Sequence, residues 1–157
     1  MIIKQIATGN LHRVQITPVQ TNEYQKITKA RYFFNWKTEK KYEVYKLCMV
    51  DSSEILGLIS LQRIPNEWRV HIRLLTVSVE NKGKNKAFEG IAGNLITHAA
   101  KIAILEYAAL ACVSLRPKTE IAKHYINTYN FMATGLTLSI EMPEIINLIN
   151  RFDHDEG

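Results

Sequence analysis

Cysteine is nearly absent from this 157-residue chain, which holds only Cys48 and Cys112. Two thiols build neither a disulfide framework nor a cysteine-rich zinc module, and both lie inside apolar runs, Leu47 to Val50 and Leu110 to Leu115. The expectation is two buried, reduced thiols in a cytoplasmic protein. Glycine and proline are sparse too, at 7 and 4 residues, and fall singly. No linker, repeat or low-complexity stretch divides the chain, which predicts one domain over residues 1–157. Long hydrophobic runs are missing. The longest, Ile102 to Val113, is interrupted by Glu106 and falls short of the ~20 residues a membrane helix needs. Met1 to Leu11 carries Lys4 and turns polar at Thr8, unlike a signal peptide. Nor does either charge sign dominate. A formal net charge of +5 suits an anionic small ligand or weak nucleic-acid contact and does not choose between them.

What is present is a regular succession of strands and helices. Ile2 to Ile6 reads as a short strand, and Val14, Ile16 and Pro18 alternate with polar residues in a second. Thr21 and Asn22 are caps for a helix starting near Glu23, with Ile27, Ala30 and Phe34 at helical spacing before Asn35-Trp36. Tyr42–Val50, Ile55–Leu61 and Trp68–Val79 read as three strands joined by turns at Asp51–Ser53 and Ile64–Glu67, an antiparallel meander. Gly57 in the second marks a bulge or a close backbone approach. In the third, the apolar phase switches at Leu74-Leu75, as a bulge or a strand buried on both faces would produce.

A basic loop, Asn81-Lys82-Gly83-Lys84-Asn85-Lys86, then leads into Ala87-Phe88-Glu89-Gly90-Ile91-Ala92-Gly93-Asn94. From Ile91 to Tyr107 the periodicity is helical, with His98 on the polar face. Leu110–Leu115 is a short strand that the helical crossover makes parallel to the one before. Pro117 heads a helix running to about Tyr129 and ended by Asn130. The tail offers one strand, Leu136–Met142, a helix from Glu144 to Phe152 after Pro143, and a frayed acidic end.

The loop before Ile91 carries the chemistry. A helix N-terminus presents unpaired N–H groups and the positive end of its dipole to phosphate oxygens. Gly90, Ala92 and Gly93 keep side chains small there, and Lys82, Lys84 and Lys86 add positive charge. The alternative is a solvated basic loop in which Gly90 and Gly93 serve helix packing. Neither the Walker pattern nor G-x-G-x-x-G is present.

The order of elements resembles the GNAT superfamily of acyl-CoA N-acetyltransferases. Its loop signature, Q/R-x-x-G-x-G/A, is matched by Ala87-Phe88-Glu89-Gly90-Ile91-Ala92 in the G-x-A half. Its later signature, a tyrosine a few residues before Gly-Phe, looks like Tyr125 followed by Asn130-Phe131. The likeness covers Tyr42 to Phe131. Ala87 stands where the family has Gln or Arg, Lys118 where many members have asparagine, Asn130 where they have glycine, and the tail has one strand for the family's two.

The resemblance implies an α+β fold with a central mixed sheet, meander first and strand-helix-strand unit after, and helices on both faces. It implies acetyl transfer from acetyl-CoA to a primary amine in a ternary complex. Val77, Ser78 and Val79 would pair with the pantetheine arm, and Lys84, Lys86 and Ala87 to Asn94 would hold the pyrophosphate. Tyr125 would protonate the departing thiolate, since a phenol with pKa ~10 is a competent donor to a thiolate of ~8.5. Glu80, the carboxylate nearest this cleft in sequence, is the candidate base, with His71 and Arg73 as alternatives facing it. A core role for Tyr125 on the Ile121-Tyr125-Tyr129 stripe and a rim ion pair for Glu80 stand beside these roles.

The departures leave a non-catalytic acyl-CoA-binding or protein-interaction module as the alternative. Gly90-Ile91-Ala92-Gly93 is also a G-x-x-G, but the clamp of that form joins two helices, and a strand precedes it here, so nucleic acid is not the expected partner. No spacing of His, Cys or carboxylates suggests a metal. The expected partner is a small-molecule or protein amine, with a homodimer left open.

Overall fold

The computed structural model describes residues 1–117, 119–135 and 137–153. Nine strands form one mixed sheet in the order β6-β1-β2-β3-β4-β5-β7-β9-β8. They are β1 (Ile2–Gln5), β2 (Leu11–Pro18), β3 (Glu43–Met49), β4 (Ile55–Ile64), β5 (Arg69–Val77), β6 (Phe88–Glu89), β7 (Cys112–Leu115), β8 (Met132–Thr134) and β9 (Thr137–Glu141). The helices are α1 (Lys29–Tyr32), α2 (Ile91–Tyr107), α3 (Thr119–Tyr129) and α4 (Glu144–Phe152). β2 to β5 form the antiparallel meander, and β5 pairs parallel with β7 across α2. This is the mixed α+β architecture that the element order implies.

β4 is the spine. Its residues from Ile55 to Leu61 are buried without interruption, because both faces of the strand are covered. On one face α2 packs through Ile91, Leu95, Ile96 and Ala99. Gly57 makes that approach close: a Cβ there would stand 2.6 Å from Ile91 Cγ2 and 2.9 Å from Leu95 Cδ1. The opposite face carries a second core of Tyr24, Ile27, Tyr32, Trp36, Val44, Cys48, Ile55 and Leu58. Two hydrogen bonds lock this layer, from Tyr32 Oη to the Ile55 carbonyl (2.8 Å) and from the Trp36 indole to the Tyr32 carbonyl (3.1 Å).

Several expectations are corrected. The helix expected from Glu23 is broken into a 3₁₀ turn, Thr21–Lys26, and the single turn α1. The break falls where Thr28 caps α1 by accepting from Arg31 N–H (3.3 Å), a local bond that competes with helix continuation. Trp68 lies outside β5 in a left-handed conformation (φ 49°). β5 stops at Val77, and Val79–Asn81 form a 3₁₀ turn. The tail holds two strands, β8 and β9, as a hairpin. The departures and tail features placed at Lys118, Leu136 and residues 154–157 lie outside the described residues. No helix among the described residues is long and apolar enough to cross a membrane.

Candidate functional site

The site begins with a bulge. Across β4 and β5 the register runs Ser60↔Leu74 and then Leu61↔Ile72, so Arg73 is an extra residue with no opposite partner. The ladder from β5 to β7 ends at Ile72↔Leu115, one residue before it. Beyond that point β5 keeps β4 on one side and has no strand on the other among the described residues. Ser78 N–H donates to the Leu56 carbonyl (2.8 Å), which fixes the phase of the ladder. Residues 74 and 76 spend their main-chain groups on β4, whereas Leu75 and Val77 turn theirs into the gap. Thr76 Oγ1 donates to the Val77 carbonyl (3.0 Å), leaving the Leu75 groups and Val77 N–H as the open ones.

This shifts the expected pantetheine strand. Of Val77, Ser78 and Val79, only Val77 faces the gap with its backbone. Ser78 is fully buried with its amide committed to β4, and Val79 is exposed in the 3₁₀ turn. Leu75 was missed by sequence reasoning; the Leu74-Leu75 doublet, where the apolar phase switches, was the signal for it.

The loop to α2 is tied down by Asn81. Its side chain donates to Ser78 Oγ (2.9 Å) and accepts from Phe88 N–H (2.9 Å), while Ala87 N–H donates to the Glu80 carbonyl (3.1 Å). Residues 82–86 are therefore an excursion from a closed neck. Lys82 places its ammonium 4.2 Å from the Phe33 ring centroid; Lys84 is exposed and Lys86 half-buried. Phe88-Glu89 returns as β6 against β1, and the amides of Ala87 and Phe88 are already spent on Glu80 and Asn81.

Gly90 caps α2 at φ 102°, a conformation that favours glycine. The N–H groups of Ile91, Ala92 and Gly93 follow as the helix's unpaired donors, because Asn94 N–H makes the first bond to the Gly90 carbonyl (3.0 Å). The Asn94 amide donates to the Ile2 and Gly90 carbonyls (2.8 and 2.7 Å), tying the cap to β1. A Cβ on Gly93 would stand 2.2 Å from the Phe152 ring. That glycine accommodates α4, the packing role that stood as the alternative to close approach of an anion.

Tyr125 is half-buried, with Tyr129 and Phe131 ring centroids 6.1 Å away. Burial pushes its phenol above the ordinary value, so it stays protonated at neutral pH. Its hydroxyl is not among the enclosed unpartnered polar atoms. Asn130 ends α3 at φ 61°. Asparagine tolerates this left-handed conformation, so it replaces glycine here at little cost. Glu80 is engaged: Arg31 donates to it at 2.5 Å and to Glu54 at 2.6 Å. Burial raises the Glu80 pKa, but hydrogen bonds from Arg31, its own backbone and Ser78 outweigh that and hold it below the usual carboxylate range.

His71 and Arg73, expected to face the cleft, are each held by a partner of their own. Arg73 donates to Glu39 Oε1 (2.9 Å), and its guanidinium lies 3.7 Å from the Tyr42 ring centroid. Glu39, only 5% exposed, also accepts from Ser60 Oγ (2.8 Å). His71 bonds Ser114 Oγ on β7 (2.8 Å). Burial, then Arg69 and Arg73, lower its pKa and keep the ring neutral. Both cysteines have thiols pushed up by burial and are unsuited to nucleophilic work. Among the described residues no group of His, Cys, Asp and Glu is placed to hold a metal. Two surface depressions, about 300 and 390 Å³, are lined by Tyr24, Tyr42 and Tyr45 and by Lys46, Cys48 and Asp51. Neither includes β5 or α2.

No family model and no curated protein matches the sequence. Solved structures match the fold. The AtaT toxin, bound to the C-terminus of the antitoxin AtaR and acetyl-CoA, is 16% identical at TM-score 0.61, over 88% of this chain and 99% of that one. Spermidine/spermine N-acetyltransferase SpeG from Vibrio cholerae is 12% identical at TM-score 0.61, over 86% and 96%. Naa50 from Arabidopsis thaliana, in complex with a bisubstrate analogue, is 16% identical at TM-score 0.57, over 82% and 99%. The likeness spans nearly the whole of each neighbour, and with the bulge, the parted β5 and β7 and the capped α2 it establishes that this chain has the fold of the GNAT acyl-CoA N-acetyltransferases.

Proposed function

We propose that this protein transfers an acetyl group from acetyl-CoA to a primary amine by direct attack. The observation that carries this reading is the gap opening at the Arg73 bulge, with the Leu75 and Val77 backbone turned into it. An extended thioester-bearing arm with amide groups finds there an unpaired strand edge to bond. Neighbours of the same fold are bound to acetyl-CoA or to a CoA-based bisubstrate analogue, which supports the same co-substrate. The unpaired N–H groups of Ile91, Ala92 and Gly93, with Lys84 and Lys86 in the loop that leads to them, fit the pyrophosphate. Glu89 is exposed at this end and works against an anion, whereas Asn94 acts by holding the cap.

In the reaction the amine lone pair forms a C–N bond to the thioester carbonyl carbon, and a backbone N–H at the gap stabilises the oxyanion. Collapse breaks the C–S bond, the Tyr125 phenol protonates the thiolate, and the surplus proton on the acetylated nitrogen leaves to solvent, from which the tyrosinate regains its own. Glu80, fixed by Arg31, is not assigned as the base here; the free-base fraction of the amine is the nucleophile. The test pairs calorimetric titration with acetyl-CoA and thiol release against a panel of amines. Micromolar binding with amine-dependent thiol release is expected, and no binding at millimolar acetyl-CoA sinks the reading. Binding without thiol release from any amine identifies the non-catalytic module.

A further inference from the structure

The sheet face opposite α2 carries a chain of donors beside the gap. Arg69 on β5 donates from Nη1 to Ser114 Oγ on β7 (2.7 Å), and Ser114 Oγ lies 2.8 Å from His71 Nδ1. Arg69 Nη1 also approaches His71 Nδ1 at 3.4 Å. A guanidinium only donates, so the approach of Arg69 Nη1 to Nδ1 assigns the lone pair to Nδ1, and Ser114, accepting from Arg69, gives its own hydrogen to Nδ1. His71 is thereby assigned the tautomer with hydrogen on Nε2. That Nε2–H has no hydrogen-bond partner among the described residues and is not enclosed. His71 is thus a fixed donor, unsuited to act as a base at Nε2. His71↔Ser114 is the pair just before the last rung of the β5–β7 ladder, at the threshold of the gap.

The carboxylates on the strands and turns that flank this threshold are committed, and Glu141, opposite Cys112 on β9, lies on the same face two residues farther from the gap than Ser139. Glu39 is paired with Arg73, Glu43 with Arg63, Glu67 with Arg69, and Glu54 and Glu80 with Arg31. A polycationic acceptor would need a free carboxylate for its second ammonium and finds none in that set. α2 and its cap, the phosphate end of the proposed cofactor site, lie on the other face. Direct attack at the gap therefore brings the acceptor in from the His71 side.

We propose that this face is the acceptor subsite and that it selects α-amino carbonyl compounds over polyamines, with His71 Nε2–H bonding the acceptor's carbonyl or carboxylate oxygen and Arg69 and Ser114 positioning it. The inference rests on the acetyl-transfer reading above. Thiol release is measured with alanine, trialanine and spermidine, the first two separating a free carboxylate from a peptide carbonyl. At least one of them is expected to exceed spermidine about tenfold in kcat/KM. His71→Phe is expected to raise the KM of that acceptor about tenfold, the value of one lost hydrogen bond, with acetyl-CoA Kd unchanged. His71→Gln, which keeps an N–H donor, should restore most of it and guards against a folding artefact. Preference for spermidine, or an unchanged KM in His71→Phe, overturns the subsite while leaving acetyl transfer standing. If acetyl-CoA binds without turnover, N-acetylalanine is titrated and the His71 ring ¹⁵N signals followed; a shift at Nε2 supports the subsite and its absence overturns it. Failure to bind acetyl-CoA removes the parent reading and this inference together.

Discussion

Glu39 and Arg73 form an ion pair at the bulge that opens the sheet, with Arg73 Nε donating to Glu39 Oε1 at 2.9 Å. Glu39 comes from the 3₁₀ turn before β3, and Arg73 is the residue that β5 has in excess. Ser60, directly opposite Leu74, holds the same carboxylate, so three segments fix the one irregular position in the ladder. Removing one partner strands the other. Glu39→Leu is expected to lower stability by about 2 kcal/mol in urea unfolding, less than for a fully buried pair because Arg73 keeps contact with solvent. Glu39→Leu with Arg73→Met should recover most of that stability but not the rate of thiol release, since the bulge has lost its clamp. Full recovery of both would show that the pair has no part in shaping the gap.

The missing side chain of Gly93 makes room for Phe152 of α4. Gly93→Ala drives a methyl into Phe152, and overpacking of this kind costs about 1–3 kcal/mol. Thermal unfolding should show the loss, and Phe152→Leu in the same chain should reverse it. Acetyl-CoA Kd in the double variant should match wild type. If Kd stays weakened after stability returns, the glycine is needed by the phosphates.

How much of this was visible beforehand depends on how far each signal lies from its cause. The meander announced itself through strand periodicity and short turns, and the bulge through the phase change at Leu74-Leu75. It was placed one residue late because Arg73, a polar residue between apolar ones, looks like ordinary alternation. The Gly93 role depends on Phe152, far along the chain, and the two-residue β6 exists only because β1 lies beside it. Neither leaves a local trace. The donor chain joins Arg69 and His71 to Ser114 across a parallel ladder, a proximity that spacing alone does not encode.

His98 makes stability depend on pH. It packs on Tyr45 with ring centroids 4.4 Å apart, and burial, helped by Lys101, lowers its pKa from 6.5 to about 4. The folded state refuses a proton that the unfolded state takes up. Stability is therefore full above about pH 6.5 and falls as pH drops toward 4, by up to roughly 3 kcal/mol. His98→Leu should flatten that part of the curve in denaturant titrations between pH 4 and 7. An unchanged slope would assign the acid sensitivity to carboxylates instead.

Glu80 offers a contrast between an ion-paired carboxylate and a base. Arg31 keeps it ionised, and its contribution is present above the unfolded carboxylate pKa and lost as pH falls through the lower folded value. Glu80→Gln is expected to reduce thiol release less than about fivefold at pH 7, whereas loss of a general base costs about 10²–10⁴. A hundredfold fall, with the acid limb of the pH profile moved by Arg31→Met, would reinstate Glu80 as the base.

Tyr125 is the decisive position, because a proton donor and a packing residue behave differently when only the hydroxyl is removed. Its ring stands among Tyr129 and Phe131, contacts that Tyr125→Phe preserves. The substitution should leave urea stability and acetyl-CoA Kd unchanged. As the acid, the phenol acts only when the thiolate departs, so kcat should fall about 10²-fold while the acceptor KM holds. Burial raises the phenol's pKa, so it remains a donor across neutral pH, and the basic limb of the wild-type profile should lie above the ordinary tyrosine value. Thiol-release profiles of wild type and Tyr125→Phe from pH 6 to 11 separate the cases. A parallel profile with kcat within twofold would make Tyr125 a member of the aromatic cluster and leave the thiolate to take its proton from solvent.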